Sequence, residues 1–200
     1  MVNDDSPTRE RILMAAVEII DEQGEAALRL MDVARRAGIT LSLITHYFGT
    51  RDNLVAEAHT VRFKGLTSAD AKRLIGLVRS ATTKDEFRAA LSALTADVLD
   101  RKRASIRLAR ISAIGAAYGR PELLTELGDT MSELNDTLTE VITTMQDEEF
   151  LRSDVDPRAV ATFISAYSLG AVVADLDARP ADREQIAQVI GHFADAIIAA

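Results

Sequence analysis

Cysteine is missing from all 200 residues. Disulfides, thiolate catalysis and cysteine-based zinc sites are therefore excluded, and a reducing compartment such as the cytoplasm suits the chain. Tryptophan is missing too, and aromatic residues make up only 4%. No apolar run approaches the roughly 18–20 residues of a membrane span, and the opening VNDDSPTRER does not read as a signal peptide, so no membrane partner is expected. Sustained alternation of apolar and polar residues, the mark of a half-buried strand, is nowhere found. A glycine-rich loop after a strand, an HExxH spacing and a GxSxG elbow are also lacking, so nucleotide-cradling, zinc-protease and serine-hydrolase chemistry has no residues to carry it. The histidines are His46, His59 and His192, and none has a metal-ligand spacing. His59 and His192 are expected on helix surfaces or half-buried. The expectation is a protein with no catalytic residues, no metal and no cofactor.

What is present reads as helix. Hydrophobic residues make up 48% and charged residues 27%, as in globular chains, and Ala and Leu, both strong helix formers, are plentiful. The net charge of −8 opposes nucleic-acid binding if taken alone. Its location matters more, because fields are screened within about 8–10 Å. Residues 27–51 carry Arg29, Arg35, Arg36 and Arg51 against Asp32 alone, a local balance of +3. Acidic residues cluster elsewhere, as at Asp147, Glu148 and Glu149.

That basic stretch, ALRLMDVARRAGITLSLITHYFGTR, predicts two short helices joined by a tight turn. Residues 31–37 form the first, with Val33 and Ala34 inward. Gly38 supplies a left-handed stop. Thr40 is placed to cap a second helix over 41–47. Leu43, Ile44 and Phe48 face inward. Ser42, Thr45, His46 and Tyr47 leave hydroxyls and an imidazole for bases or phosphates. Thr50 can cap the next helix, where Arg51 adds its charge to the positive helix terminus. Such a pair suits a helix-turn-helix, whose second helix enters the major groove.

Residues 8–54 resemble the N-terminal domain of TetR-family transcriptional regulators. The matching pieces are TRERILMAAVEIIDEQG, DVARRAGIT and ITHYFGTRDNL. Arg29 stands where a capping Thr is usual in that family, and Ser42 and Thr45 stand where Gly and an aromatic are common. Carried onto this chain, the resemblance puts Thr40, Leu41, Ser42, Thr45 and His46 on bases and Arg29, Tyr47 and Arg51 on phosphates.

Further helices follow. Ser6 and Pro7 open the first, and Ile12, Ala16 and Ile19 share one of its faces. From Thr50 a long helix runs to about residue 78, with Gly65 and Gly76 as points of bending or interruption. Thr83 with Glu86 makes a capping box before Phe87, Leu91, Leu94 and Val98. The segment 106–117 is apolar on several faces and reads as buried. Leu127, Met131, Leu134, Leu138, Val141 and Met145 mark a packing seam. Asp156-Pro157 and Asp182 start the last two helices. The fold class is all-α: a three-helix helix-turn-helix domain over 1–50 and a larger helical bundle over 51–200, about nine helices in all.

The last two helices carry more apolar surface than a single chain needs, and the resemblance implies dimerisation through them. Tyr167, Ala171, Ala174, Ile186, Val189, Ile190, Phe193 and Ile197 are the residues concerned. The resemblance also implies an effector pocket in the C-terminal bundle, for which Arg107, Arg110, Tyr118, Tyr167 and Ser168 are the polar candidates. For both arginines, salt bridges to nearby carboxylates are the plainer expectation. The functional expectation is a cytoplasmic, homodimeric repressor of double-stranded operator DNA, released by a small-molecule effector. The alternative is a helical small-molecule-binding protein that no longer reads DNA.

Overall fold

Ten α-helices and two single 3₁₀ turns make up the computed structural model, which describes residues 7–198. No strand occurs among the described residues; an isolated antiparallel bridge pairs Leu151 with Ile198. The helices are α1 (Pro7–Gln23), α2 (Leu30–Ala37), α3 (Leu41–Phe48), α4 (Arg51–Arg79), α5 (Lys84–Leu99), α6 (Ala104–Ala116), α7 (Pro121–Asp147), α8 (Pro157–Gly170), α9 (Val172–Leu176) and α10 (Arg183–Asp195). Only Ala171 separates α8 from α9, which is why the sequence reads as about nine helices. Ser6, the expected cap of α1, lies outside the described residues. Gly65 and Gly76 do not interrupt α4, which is helical through both.

The chain forms two compact units. The first holds the residues up to Gly65 together with Ser112–Leu127. Its core joins Ile12, Ala16 and Ile19 of α1 to Val33 of α2, Ile44 and Phe48 of α3, and Leu54, Val55 and Ala58 of α4. These are the positions at helical spacing in the sequence, and truncating one of the large ones to Ala costs about 2–5 kcal/mol. His59 corrects the expectation of a surface or half-buried residue, since it is fully buried. Glu25, in the 3₁₀ turn Glu25–Ala27, accepts its Nε2 at 3.2 Å and Arg120 Nη2 at 2.6 Å.

The second unit takes Leu66–Ile111 and Gly128 onward. Leu138, Val141, Ile142 and Met145 of α7 meet Phe87 of α5 and Ala161 of α8 in its core, and Phe87 stacks on Phe150 at 5.5 Å. Caps appear where the sequence places them: Thr83 accepts from Glu86 N, Asp156 from Ala159 N, and Asp182 from Glu184 N and Gln185 N. In the capping box the Glu86 carboxylate reaches Thr82 N, one residue before the cap.

The α6 segment corrects the reading of a helix buried for its apolar residues. Arg107 and Arg110 are only 4% and 6% exposed, whereas Leu108 and Ile111 are 44% and 38% exposed. Partners remote in sequence produce this inversion. Arg107 donates to Asp175 at 2.5 and 2.8 Å and to the carbonyls of Val98 and Asp100. Arg110 donates to Asp70 at 2.5 Å and to Leu66 O at 2.9 Å. A buried guanidinium is tolerated when it is paired and hydrogen-bonded in this way.

A second correction concerns residues 157–176. With a mean hydropathy of 1.6, Pro157–Leu176 is long and apolar enough to cross a membrane by composition alone. Its charges, Arg158 and Asp175, stand near its ends and cut the charge-free run to the 16 residues 159–174, below the length of a span. In the fold this segment is broken at Ala171, Asp175 is held by Arg107 and Arg183, and Ser165 donates to Asn135 at 2.6 Å.

Candidate nucleic-acid interface and effector cavity

Local sequence builds the α2–turn–α3 corner. Gly38 takes φ 65°, ψ 41°, which Cβ-bearing residues resist, and Ile39 N donates back to Ala34 O at 3.0 Å. Thr40 occupies the N-cap position of α3 in extended backbone, yet its hydroxyl makes no cap bond. It lies 3.0 Å from Ser42 Oγ instead, so the two hydroxyls form one exposed polar pair. Gly49, at φ 70°, ends α3, and Thr50 Oγ1 accepts from Asn53 N at 3.1 Å to start α4.

Ile44 and Phe48 anchor α3, while Thr40, Leu41, Ser42, Thr45 and His46 are exposed. Thr45 Oγ1 donates to Leu41 O at 3.3 Å. Tyr47 is half-buried, with the His46 ring edge-on to it at 5.4 Å. α3 itself contains no carboxylate. Arg29 is exposed at the start of α2, where Nη1 donates to Ala26 O at 2.8 Å.

Two charges differ from their sequence-based placement. Arg51 is half-buried, and Nε donates to Leu28 O at 3.0 Å and Nη2 to Glu25 O at 2.7 Å, so the guanidinium clamps the chain before α2. Arg36 meets Glu22 at 2.9 and 2.7 Å and Glu18 at 3.5 Å, both on α1. That pairing, led by the hydrogen bond between them, raises the Arg36 pKa and lowers that of Glu22. Arg35 donates to Asp32. The local balance of +3 omitted Glu18 and Glu22, which only folding brings to the motif.

The second unit contains a cavity of about 570 Å³. α4, α5, α7, α8 and α10 wall it with Ile75, Phe87, Leu94, Val141, Tyr167 and Phe193 among others. Of the expected polar candidates, Tyr167 and Ser168 line it. Arg107 and Arg110 do not; they line a crevice with Asp70 and Arg103 and are engaged in the ion pairs above. Tyr118 belongs to the first unit and is 95% exposed. The Tyr167 hydroxyl is buried without a hydrogen-bond partner. Burial pushes its pKa up to about 12 against the opposing charge of Arg107, so it stays protonated.

The residues expected at a dimer face divide. Tyr167, Ile190, Phe193 and Ile197 line the cavity, Ala171 is buried, and Ala174 and Ile186 are half-buried. Val189 and Phe193 remain 54% and 64% exposed, with Val173 and Leu176 also outward. Sequence reasoning missed the α5 and α7 cavity wall. Its apolar stripes read as ordinary packing seams, and no sequence signal separates the two.

Residues 12–58 match the family described as bacterial regulatory proteins, tetR family, and residues 84–199 match BetI-type transcriptional repressor, C-terminal. HTH-type transcriptional regulator BetI 2 of Chromohalobacter salexigens is 33% identical over 93 residues, which are 46% of this chain and 42% of that protein. HTH-type transcriptional regulator BetI of Burkholderia cenocepacia (strain HI2424) is 33% identical over 97 residues, 48% of this chain and 47% of that protein. The chain thus spans less than half the length of these relatives. Among solved structures, a TetR-family regulator from Cytophaga hutchinsonii superposes with a TM-score of 0.74 at 16% identity, covering 100% of this chain and 98% of that one. A regulator from Saccharomonospora viridis in complex with choline gives 0.66 at 20% identity, covering 96% and 97%. These two share the fold; the sequence matches reach further. Since the second match alone takes in more than half of the residues, the chain belongs to the tetR family of bacterial regulatory proteins, with a C-terminal part of the BetI-type repressor kind.

Proposed function

We propose that the chain is a one-component transcriptional repressor of the cytoplasm, with no catalytic activity of its own. It reads double-stranded operator DNA as a homodimer and leaves it when a small molecule fills the second unit's cavity. Residues 1–50 do the reading, and 51–200 hold the effector and the partner subunit. One observation carries this: α3 turns Thr40, Leu41, Ser42, Thr45 and His46 outward from a base fixed by Ile44 and Phe48, with no carboxylate on the helix. Hydroxyls and the imidazole suit base edges, and Leu41 suits a thymine methyl. Arg29 and Tyr47 hold phosphates beside it. One such helix makes few base contacts; a two-fold pair reads half-sites about 34–36 Å apart, or a multiple of that.

Effector binding favours a dimer shape whose heads mismatch successive grooves, and by linkage operator DNA weakens effector binding by the same factor. Choline, held by the Saccharomonospora viridis regulator, is the first small molecule to test. The paired charges of Arg35 and Arg36 favour one second reading, a helical ligand-binding protein that has lost DNA recognition.

Mobility shift on duplexes enriched from a random pool separates the two. The repressor reading expects a recovered site with two-fold symmetry and nanomolar binding that steepens at low salt. Recovery of no preferred sequence overturns it.

A further inference from the structure

Resting on the reading of α3 as the helix that enters the groove, we infer that the operator is recognised chiefly through thymine methyl groups, met by Leu41 and Thr45, with no bidentate contact to guanine or adenine.

The residue types missing from α3 come first. In the major groove, an Arg or Lys meets guanine N7 and O6 together, and an Asn or Gln meets adenine N7 and N6. Between Arg36 and Arg51 the chain has no Lys, Arg, Asn or Gln. The four arginines of the motif are engaged away from α3. Arg29 donates to Ala26 O, Arg35 to Asp32, Arg36 to Glu22, and Arg51 to Leu28 O and Glu25 O. These acceptors lie on α1, on α2 and in the turn between them.

The hydroxyls of α3 are partly spent. Thr40 and Ser42 oxygens stand 3.0 Å apart, so one proton is used within the pair and a single donor is left for a base. Thr45 Oγ1 donates back to Leu41 O at 3.3 Å, so what this exposed residue offers a base is its methyl group.

Leu41 is 41% exposed and lies outside the core of its unit and the residues packed against it. A lone exposed leucine is ordinary elsewhere on a surface. Here it occupies the N-terminal turn of α3, the part of a recognition helix that meets base edges. Thr45 follows four residues later, so its methyl and Leu41 share one face of the helix. Thymine is the base that presents a methyl group in the major groove, on C5. Contact with Leu41 takes hydrocarbon out of water on both sides. Cytosine in the same place lacks the methyl and brings an amine that a leucine cannot satisfy. A cytosine methylated on C5 regains the methyl, so binding at such a position responds to cytosine methylation.

The test starts from the duplex recovered by binding-site selection with the full chain. Each thymine of the half-site is replaced in turn by deoxyuridine, which lacks only the methyl, and affinity is read by anisotropy at one salt concentration. At one or two positions the change should weaken binding roughly fourfold, and about fifteenfold when made in both half-sites, as burial of one methyl-sized group implies. At the same positions 5-methylcytosine should bind about fourfold tighter than cytosine. Leu41→Ala should bind thymine and uracil duplexes alike at the position it meets. Thr45→Val should keep the discrimination at its own position, and Thr45→Ser should lose it. The Thr45 pair keeps the test decisive if Leu41→Ala fails to fold.

Indifference of the native chain to uracil at every thymine overturns the proposal, and so does a recovered half-site without thymine. Loss of about tenfold on 7-deazaguanine, which lacks the N7 acceptor, with uracil tolerated, assigns the reading to a guanine contact and overturns it too. In each of these cases a specific site has still been recovered, so the repressor reading stands. Recovery of no site overturns both, which tells the two failures apart.

Discussion

Arg120 and His59 converge on Glu25: Arg120 Nη2 meets Oε1 at 2.6 Å, and His59 Nε2 meets Oε2 at 3.2 Å. The carboxylate can only accept, so the imidazole proton sits on Nε2. The backbone carbonyl of Glu25 also accepts Arg51. The turn that precedes the helix-turn-helix is thus fastened by α4 and by the α6–α7 connection within one unit.

Removing Arg120 tests that fastening. Arg120→Ala leaves Glu25 beside a buried neutral imidazole and should cost about 1.5 kcal/mol, the lower end of the range for hydrogen bonds to charged groups, because both side chains are partly exposed. Urea unfolding reads it, and an unchanged midpoint counts against the role.

The same cluster gives a pH dependence. Burial lowers the His59 pKa below 6.5, against the opposing pull of Glu25. The unfolded chain therefore takes up a proton near pH 6.5 that the folded chain refuses, and stability falls as pH drops below that value. Burial alone would raise the Glu25 pKa, but Arg120 and His59 together hold it below 4.5, so its contribution is present above that pH and is lost on further acidification. Urea midpoints between pH 5 and 8 should decline towards acid, and His59→Gln should flatten the decline in its upper part. Equal slopes in both proteins refute the assignment.

Arg51 distinguishes an internal clamp from a phosphate contact. Its bonds to Leu28 O and Glu25 O predict that Arg51→Ala lowers the unfolding free energy read by urea denaturation by about 1–3 kcal/mol while the salt dependence of DNA binding keeps its slope. A slope reduced by about one with unaltered stability reinstates the phosphate role.

How much of this was legible depended on sequence distance. The stop at Gly38, the anchors Ile44 and Phe48, and the caps at Thr83, Asp156 and Asp182 each act within four residues, so the string of residues contains them. The inversion of α6 was hidden because Arg107 meets Asp175 68 positions away and Arg110 meets Asp70 40 away. Burial of His59 needed Glu25, 34 positions away, and Arg120 stands 95 from Glu25. Without those partners a helical rule correctly prefers isoleucine inside and arginine outside, and here it fails. The cavity was hidden for another reason: Phe87, Leu94 and Val141 obey the same periodicity whether they meet another helix or an empty space.

The dimer face is best probed away from the cavity. Val189 is 54% exposed and does not line it. Val189→Glu should turn dimers into monomers in sedimentation, since burying an unpaired carboxylate costs several kcal/mol. Dimers that persist at micromolar concentration exclude this face.

The most direct measurement of the whole account is binding-site selection with the native chain and with Ser42→Ala and His46→Ala, followed by anisotropy titration on the recovered duplex. The account predicts that each variant relaxes preference at one or two base pairs in each half-site, weakens the native site by about 1–3 kcal/mol, and leaves the urea midpoint unchanged. Identical sequence preferences in all three proteins would contradict it.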